Sequence, residues 1–138
     1  MLFGKRQRVV KRILVVEDEP LTAFDNETMI ASAGYEVVAT RDSVRDALAT
    51  LDAEPVDLIL SDVKLSGERT GVDLAREAKA RGIPVLLVTG HCPEEARDVA
   101  IGCLMKPYGD KVLKDAIEAV EARLSGGTPK AVKGLELF

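Results

Sequence analysis

Five short apolar runs, each followed by a stretch with helical spacing, constrain the fold of this chain more than any other feature. The runs begin at Ile13, Val37, Val56, Val85 and, more weakly, Cys103. Their residues are apolar at every position instead of every second one, which is typical of strands covered on both faces of a parallel sheet. The sequence therefore predicts an α/β fold: a five-stranded parallel sheet with helices on both faces, a three-layer sandwich of five β–α units.

The segments between the runs predict five helices. In the first of them Leu21, Phe24 and Met29 share one stripe, which we expect to be buried. A short fourth helix is expected to start at Pro93, and the fifth covers residues 112–124. The alternation of strands and helices runs through most of the chain, so one domain is expected.

Length and charge define the predicted organisation of the chain. The 138 residues suit a single domain, and 46% hydrophobic with 30% charged residues excludes disorder. No uncharged stretch is long enough to insert into a membrane. We expect a basic N-terminal arm over residues 1–11, a folded domain over 12–124 and a flexible tail over 125–138.

The charge is unevenly distributed along the chain. The formal net charge is −4, yet residues 1–12 carry five basic side chains and no acid, and residues 125–138 carry a further +1. Residues 13–124 therefore hold −10, which argues against a nucleic-acid surface there and for a cation site. The basic arm is expected to be a solvated end or to dock an acidic partner.

Cys92 and Cys103 have no CxxC spacing, and His91 is the single histidine. This argues against a disulfide scaffold and against a zinc site, so both cysteines are expected to be free thiols, Cys103 buried at a strand end. The apolar run behind the basic N-terminus is too short for a signal peptide. The predicted location is therefore the reducing cytoplasm.

Polar side chains follow four of the five predicted strands: Glu17 and Asp18, then Asp62, Thr89 and Lys106. Since the carboxyl ends of parallel strands share one edge, these groups should lie together. Clustered carboxylates need a compensating cation, and oxygen ligands favour Mg²⁺. A lysine and a hydroxyl beside them suit phosphoryl transfer. Taken singly, each residue could instead be a helix cap, a loop residue or a solvated lysine.

Four segments in this order resemble the receiver domain of bacterial response regulators, over about residues 11–124. The resemblance implies a flavodoxin-like fold and phosphoryl transfer from a histidine kinase or a histidine phosphotransfer protein. The segments are Val15-Val16-Glu17-Asp18-Glu19, Asp57-Leu58-Ile59-Leu60-Ser61-Asp62-Val63-Lys64-Leu65, Val88-Thr89-Gly90 and Met105-Lys106-Pro107-Tyr108.

The resemblance also implies a role for each matching residue. Asp62 would accept the phosphoryl group. Metal ligands would be Asp62 itself, Asp18, Glu17 through a water molecule and the backbone carbonyl of Lys64. Lys106 would pair with the phosphoryl oxygens, and Thr89 would turn to bind them after phosphorylation. Pro107 would follow a cis peptide bond.

The sequence departs from the family pattern at three places. Ser66 stands where receivers usually have a proline, and Gly71 follows Asp62 by nine residues instead of eight, so this loop is expected to be one residue longer. Cys103 occupies the position of the usual switch aromatic. Lys64 and His91 lie two residues after Asp62 and Thr89, where side chains in the family tune the loss of the phosphoryl group.

We therefore expect a stand-alone response regulator. Its output would be a phosphorylation-dependent change of the surface formed by the fourth helix, the fifth strand and the fifth helix, which would bind a protein partner. The alternative is a phosphate sink or phosphorelay shuttle without a conformational output, which Cys103 slightly favours. The acids together with Asp62, Thr89 and Lys106 argue against a receiver-like binding module without phosphorylation. Lys64 argues against an aspartate-nucleophile phosphatase.

Overall fold

The computed structural model describes residues 9–138, so the arm through Arg8 lies outside the described residues. Within these residues six strands form one sheet and four α-helices cover it, with a short 3₁₀ segment (Glu94–Asp98) between the fourth and fifth strands. The strands are β1 (Arg12–Val16), β2 (Glu36–Arg41), β3 (Leu58–Asp62), β4 (Val85–Thr89), β5 (Gly102–Met105) and β6 (Leu135–Leu137). The helices are α1 (Pro20–Ser32), α2 (Val44–Ala53), α3 (Gly71–Ala80) and α4 (Asp110–Leu124).

The sheet has the strand order β2-β1-β3-β4-β5-β6, and its first five strands pair in parallel. This confirms the predicted α/β fold with a five-stranded parallel sheet. The strand order changes direction at β1: β2 lies on one side of β1, and β3 and the strands after it lie on the other. In such sheets ligands bind beyond the carboxyl ends of the strands next to that reversal. No helix within residues 9–138 has the length and apolar character needed to cross a bilayer.

The sheet separates two apolar clusters. Helices α2 and α3 pack on one face, where Val44 and Val72 join the alternate β1 residues Leu14 and Val16. Helices α1 and α4 pack on the other face, where the remaining β1 positions, Ile13 and Val15, lie. Burial on both faces explains why the predicted strands read as continuous apolar runs.

Helix α1 packs through a stripe that only partly overlaps the predicted one. Leu21 and Phe24 are 76% and 64% exposed, whereas Ala23, Asn26 and Ile30 are buried. Met29 of the predicted stripe is partly buried against the same cluster, so the prediction holds in part for Met29 and is wrong for Leu21 and Phe24. Asn26 can be buried because its side-chain oxygen accepts a hydrogen bond from the Tyr108 hydroxyl at 2.8 Å.

The predicted short fourth helix is present directly after Pro93, but as a 3₁₀ segment instead of an α-helix. Residues 90–101 connect β4 to β5, and within them only Glu94–Asp98 forms helical structure, a single 3₁₀ segment. The segment buries Ala96 alone. A connection this short, which must also cross from one strand to the next, leaves no room for the two or three turns that a packed amphipathic helix needs.

The prediction of free thiols is also wrong. Cys92 and Cys103 form a disulfide with their Cα atoms 6.1 Å apart, and no other cysteine exists in the chain. Cys103 lies in β5, and the connection from β4 turns back over this strand, which brings Cys92 to it. Sequence spacing could not show this pairing because the two residues meet only through the parallel crossover.

The end of the predicted flexible tail belongs to the sheet. Residues 125–134 contain neither helix nor strand, but β6 pairs antiparallel with β5. Leu135 and Leu137 are partly buried against the apolar cluster on the α1 and α4 side. The expectation of flexibility is therefore corrected for residues 135–138, whose alternating leucines are a short strand signal.

Candidate functional site

The carboxyl ends of β1, β3, β4 and β5 bring the predicted site residues to one rim. Asp62 and Thr89 are the last residues of β3 and β4. Glu17 and Asp18 directly follow β1, and Lys106 directly follows β5. The register aligns these ends, because Asp62 pairs with Val88 and Thr89 pairs with Met105.

Three carboxylates form an acidic cluster at this rim. Glu17, Asp18 and Asp62 each offer an oxygen atom, and these atoms lie within 4.8 Å of one another. Glu17 is buried, Asp62 is half-buried and Asp18 is exposed, so the cluster opens to solvent on one side. An all-oxygen donor set with one open side is suited to a hard divalent cation that keeps part of its water shell.

One buried oxygen supports the fit of a metal ion. Glu17 Oε2 accepts a hydrogen bond from the Glu19 backbone N–H at 3.1 Å. Glu17 Oε1 is buried, and no donor within residues 9–138 forms a hydrogen bond with it. Its charged contact is the Lys106 ammonium group at 3.5 Å, and because a buried carboxylate oxygen without a hydrogen bond is costly, this atom is available to a ligand that enters from the open side. The donor chemistry thus fits a divalent cation.

Lys106 supplies the positive charge of the cluster. Its Nζ lies 2.8 Å from Asp62 Oδ2 and 3.5 Å from Glu17 Oε1, so a single ammonium group contacts two of the three acids. One cation against three carboxylates leaves a negative excess at the rim. That excess favours the binding of a further cation.

The electrostatics of the cluster shift two pKa values. Burial raises the pKa of Glu17, and the charge of Asp62 raises it further, although the Glu19 N–H and Lys106 act in the opposite direction. Burial tends to lower the pKa of Lys106, but the hydrogen bond and charge of Asp62 outweigh it and the pKa is raised. Lys106 therefore remains an ammonium group at neutral pH.

The backbone holds Asp62 in place. Its Oδ1 accepts a hydrogen bond from the Val63 N–H at 2.7 Å, and the Ser61 hydroxyl donates to its carbonyl at 2.8 Å. A Cβ atom at Gly71 would lie 2.1 Å from that carbonyl oxygen. Sequence reasoning noted Gly71 only as a displaced family glycine, yet its absent side chain lets α3 begin directly against the acceptor strand.

Thr89 is buried, with 8% of its surface exposed, and both hydrogen bonds of its hydroxyl are formed with the backbone of His91. The hydroxyl donates to the His91 carbonyl at 2.9 Å and accepts from the His91 N–H at 3.1 Å. It is thus engaged in its own turn instead of with Asp62. The side chains of His91 and Lys64 are exposed on the loops that follow β4 and β3.

The loop after β5 carries the remaining predicted features. The Lys106–Pro107 peptide bond is cis, as the resemblance implied. Cys103, at the position of the usual switch aromatic, is buried and disulfide-bonded. Tyr108, to which the sequence analysis gave no role, donates a hydrogen bond from its hydroxyl to the side-chain oxygen of Asn26 in α1. Burial raises the pKa of this hydroxyl. An aromatic residue directly after the Lys-Pro pair was the available signal.

Comparison with known proteins identifies related sequences. The family model of the response regulator receiver domain matches residues 13–118. The transcriptional regulatory protein PdtaR of Mycobacterium tuberculosis is 32% identical over 123 residues, which are 85% of this chain and 58% of PdtaR. The chain thus spans under two thirds of that relative. The chemotaxis protein CheY of Pseudomonas aeruginosa is 29% identical over 124 residues, 83% of this chain and 99% of CheY.

Solved structures show the same fold. A CheY-like response regulator receiver domain protein from Methanospirillum hungatei superposes with a TM-score of 0.74 at 27% identity, over 85% of this chain and 98% of that one. The signal receiver domain of a modulated diguanylate cyclase from Desulfovibrio desulfuricans gives 0.75 at 26% identity, over 85% and 97%.

Proposed function

Since this chain belongs to the response regulator receiver family, we propose that Asp62 accepts a phosphoryl group from a histidine kinase or a histidine phosphotransfer protein in a Mg²⁺-dependent reaction. The observation that carries the proposal is the contact of Lys106 Nζ with Asp62 Oδ2 at 2.8 Å, inside a cluster of three carboxylates. This arrangement places a nucleophilic carboxylate beside a fixed positive charge and a candidate cation site.

In the reaction, an Asp62 carboxylate oxygen forms a bond to phosphorus while the phosphorus–nitrogen bond of the donor phosphohistidine breaks. The imidazole nitrogen of the donor takes the electron pair. Lys106 is placed to neutralise charge on the phosphoryl oxygens, and the Val63 N–H holds the other side of the Asp62 carboxylate. Asp18, Asp62, the Lys64 carbonyl and, through a water molecule, Glu17 would hold Mg²⁺, which would supply further positive charge to the phosphoryl oxygens.

Phosphorylation adds roughly two negative charges to a rim that already holds three acids. The buried Thr89 hydroxyl then exchanges its His91 partners for a phosphoryl oxygen, and the loop after β4 follows it inward. This loop leads into the 3₁₀ segment. The surface formed by the 3₁₀ segment, β5 and α4 changes as a result, and a protein partner reads the change.

Lys64 and His91 tune the lifetime of the acyl phosphate in this proposal. Both side chains are exposed, and each follows a site residue by two positions, so they flank the path by which water reaches the phosphoryl group. The variant Lys64→Ala/His91→Ala should change the half-life of the phosphorylated protein several-fold. An unchanged half-life would refute this role.

The proposed setting is a stand-alone response regulator, and the cytoplasmic location predicted from free thiols loses that support because Cys92 and Cys103 form a disulfide. Two of the solved chains with similar structures are matched over 97% and 98% of their length, which supports a receiver domain that folds without a partner domain.

A phosphate sink or phosphorelay shuttle is the second candidate. The observation that favours it is the Cys92–Cys103 disulfide, which ties the loop after Thr89 to β5 at the position of the usual switch aromatic. A pinned loop would allow the same chemistry without a conformational message. Partner binding that is equal with and without the phosphoryl mimic BeF₃⁻ would favour the sink, and a difference would favour the signalling regulator.

Intact-mass spectrometry tests the proposed acceptor. The protein is incubated with acetyl phosphate and Mg²⁺, beside Asp62→Asn and the control Asp25→Asn on the exposed side of α1. The wild type and the control should each gain the mass of one phosphoryl group, and Asp62→Asn should gain none. The acceptor assignment fails if the wild type gains no mass or if Asp62→Asn gains it equally.

A further inference from the structure

The segment Gly134–Phe138, here called the β6 segment, lies antiparallel along the outer edge of β5. The Met105 N–H donates to the Gly134 carbonyl at 2.8 Å, and the Phe138 N–H donates to the Ile101 carbonyl at 2.9 Å. Between these bonds, the strand pairs run from Leu104 opposite Leu135 to Gly102 opposite Leu137. The segment thus satisfies backbone groups that an edge strand would otherwise expose.

The edge of β5 allows the β6 segment to approach closely at Gly102. A Cβ atom at Gly102 would lie 2.5 Å from the Glu136 carbonyl oxygen and 2.9 Å from Leu137 Cδ2. Any residue larger than glycine would therefore push the added strand away. The fit depends on the absence of a side chain at this single position.

The side chains of the β6 segment alternate between the two faces of the sheet. Leu135 and Leu137 pack against the apolar cluster on the α1 and α4 side. On the opposite face, Arg97 Nη2 of the 3₁₀ segment lies 2.6 Å from Glu136 Oε2, and its guanidinium carbon lies 5.2 Å from the centre of the Phe138 ring. One arginine thus contacts both an acid and an aromatic ring.

A second arginine holds the far end of the segment, because Arg123 of α4 donates to the Phe138 carbonyl. The edge therefore recognises an extended segment through main-chain pairing, two apolar contacts, a guanidinium group that binds an acid and a contact with an aromatic ring. Residues 125–133, which lead to the segment, contain neither helix nor strand. The segment can leave the edge without disrupting α4 or the parallel strands.

We propose that the edge of β5, with Gly102, Arg97 and Arg123, is a strand-binding site for a protein partner. The partner supplies an extended segment in which two apolar residues flank an acid and an aromatic residue follows. The β6 segment fills the site as an intramolecular ligand of that chemistry and competes with the partner. Addition of a strand to a sheet edge is an established mode of peptide recognition. The edge belongs to the surface formed by the 3₁₀ segment, β5 and α4, but the proposal does not rest on phosphorylation of Asp62, because the contacts that carry it are present in the unphosphorylated protein.

A labelled peptide with the sequence of residues 131–138 tests the site by fluorescence anisotropy on unphosphorylated protein. The variant Leu135→Ser/Leu137→Ser removes the apolar contacts of the β6 segment and leaves β5 and both arginines intact. The peptide should bind this opened variant at least tenfold more tightly than the wild type, since a tethered ligand competes at high effective concentration. Glu136→Arg, which places like charge beside Arg97, is a second opened variant.

Further substitutions in the opened variant test specificity. Gly102→Ala and Arg97→Ala should each weaken peptide binding at least tenfold. Gly90→Ala, where a Cβ meets nothing within 4 Å, and Arg45→Ala on the exposed side of α2 should leave it unchanged. A peptide in which lysine replaces the glutamate should bind at least tenfold more weakly than the original.

Several results would overturn the proposal. The first is that the peptide binds the wild type and both opened variants equally. The second is that it does not bind opened variants whose circular dichroism shows a native fold. The third is that Gly102→Ala does not change peptide binding. Light scattering supplies the remaining test. A wild-type dimer that Glu136→Arg converts to a monomer would show that a second copy of the chain occupies the edge, and would refute the intramolecular ligand.

Discussion

Lys106 Nζ and Asp62 Oδ2 are 2.8 Å apart, and the same ammonium group lies 3.5 Å from Glu17 Oε1. The lysine follows β5 and the aspartate ends β3, so the parallel sheet fixes their separation across the intervening strand β4. The ammonium group partly neutralises the acids that would hold a cation. It therefore limits how strongly the metal-free cluster attracts one.

Replacement of this lysine should strengthen cation binding. Lys106→Met removes the one positive charge in contact with Asp62 and Glu17, and should lower the Kd for Mg²⁺ by roughly tenfold, about 1.4 kcal/mol. Lys111→Met, which removes an exposed lysine paired with Asp115 on α4, should leave the Kd unchanged. Isothermal titration at fixed ionic strength measures both. A weaker affinity in Lys106→Met would contradict the charge balance derived above.

Glu17 should make the metal-free protein less stable as the pH rises. Because burial raises its pKa above the ordinary value of 4.5, the folded state binds more protons than the unfolded state between 4.5 and the raised value. The free energy of unfolding falls as pH rises through this window, and the cost of the buried charge persists above it. In EDTA, Glu17→Gln should therefore be more stable than the wild type at neutral pH.

The difference should vanish below pH 4.5, where Glu17 is protonated in both states. Urea unfolding at several pH values measures it, with Glu27→Gln on α1 as the control whose stability follows the wild type. The prediction would be contradicted if Glu17→Gln were less stable than the wild type at neutral pH and by the same amount at pH 4. The carboxylate would then contribute to stability through packing alone.

Gly71 provides a steric prediction. A Cβ atom there would lie 2.1 Å from the Asp62 carbonyl oxygen and 3.1 Å from Leu87 Cδ2. Gly71→Ala should therefore cost about 1–3 kcal/mol of stability, as overpacking typically does, and should shift Asp62 away from Lys106. Gly90→Ala, where nothing lies within 4 Å, should be near neutral. Equal stability of the two variants would exclude the steric contact.

The rim was predictable because it depends on patterns that are local in sequence. Continuous apolar runs indicate strands of a parallel sheet, and the residue that follows each run lies at one edge whatever the details of packing. Glu17, Asp62 and Lys106 could therefore be brought together before any coordinates were known. The cap of α2 is equally local, since the Ser43 hydroxyl accepts a hydrogen bond from the Asp46 N–H three residues on.

The features that escaped prediction depend on contacts between distant parts of the chain. Cys92 meets Cys103 only because the connection after β4 folds back over β5. The rotation of α1 is set by Tyr108, which gives the buried Asn26 a partner 82 residues away. Strand β6 requires the bare edge at Gly102. In each case the local pattern was compatible with several outcomes, and tertiary contacts selected one.

The Cys92–Cys103 disulfide should stabilise the fold and restrain the loop after Thr89. It closes a loop of 11 residues in sequence separation, for which the chain-entropy estimate is about 3 kcal/mol. A phosphine reductant should lower the free energy of unfolding of the wild type by about that amount, and should accelerate amide hydrogen exchange at residues 90–93. Cys92→Ser, which cannot form the bond, should not respond to the reductant. Exchange in this loop that is the same before and after verified reduction would show that hydrogen bonds such as those of Thr89 to His91 hold it without the disulfide.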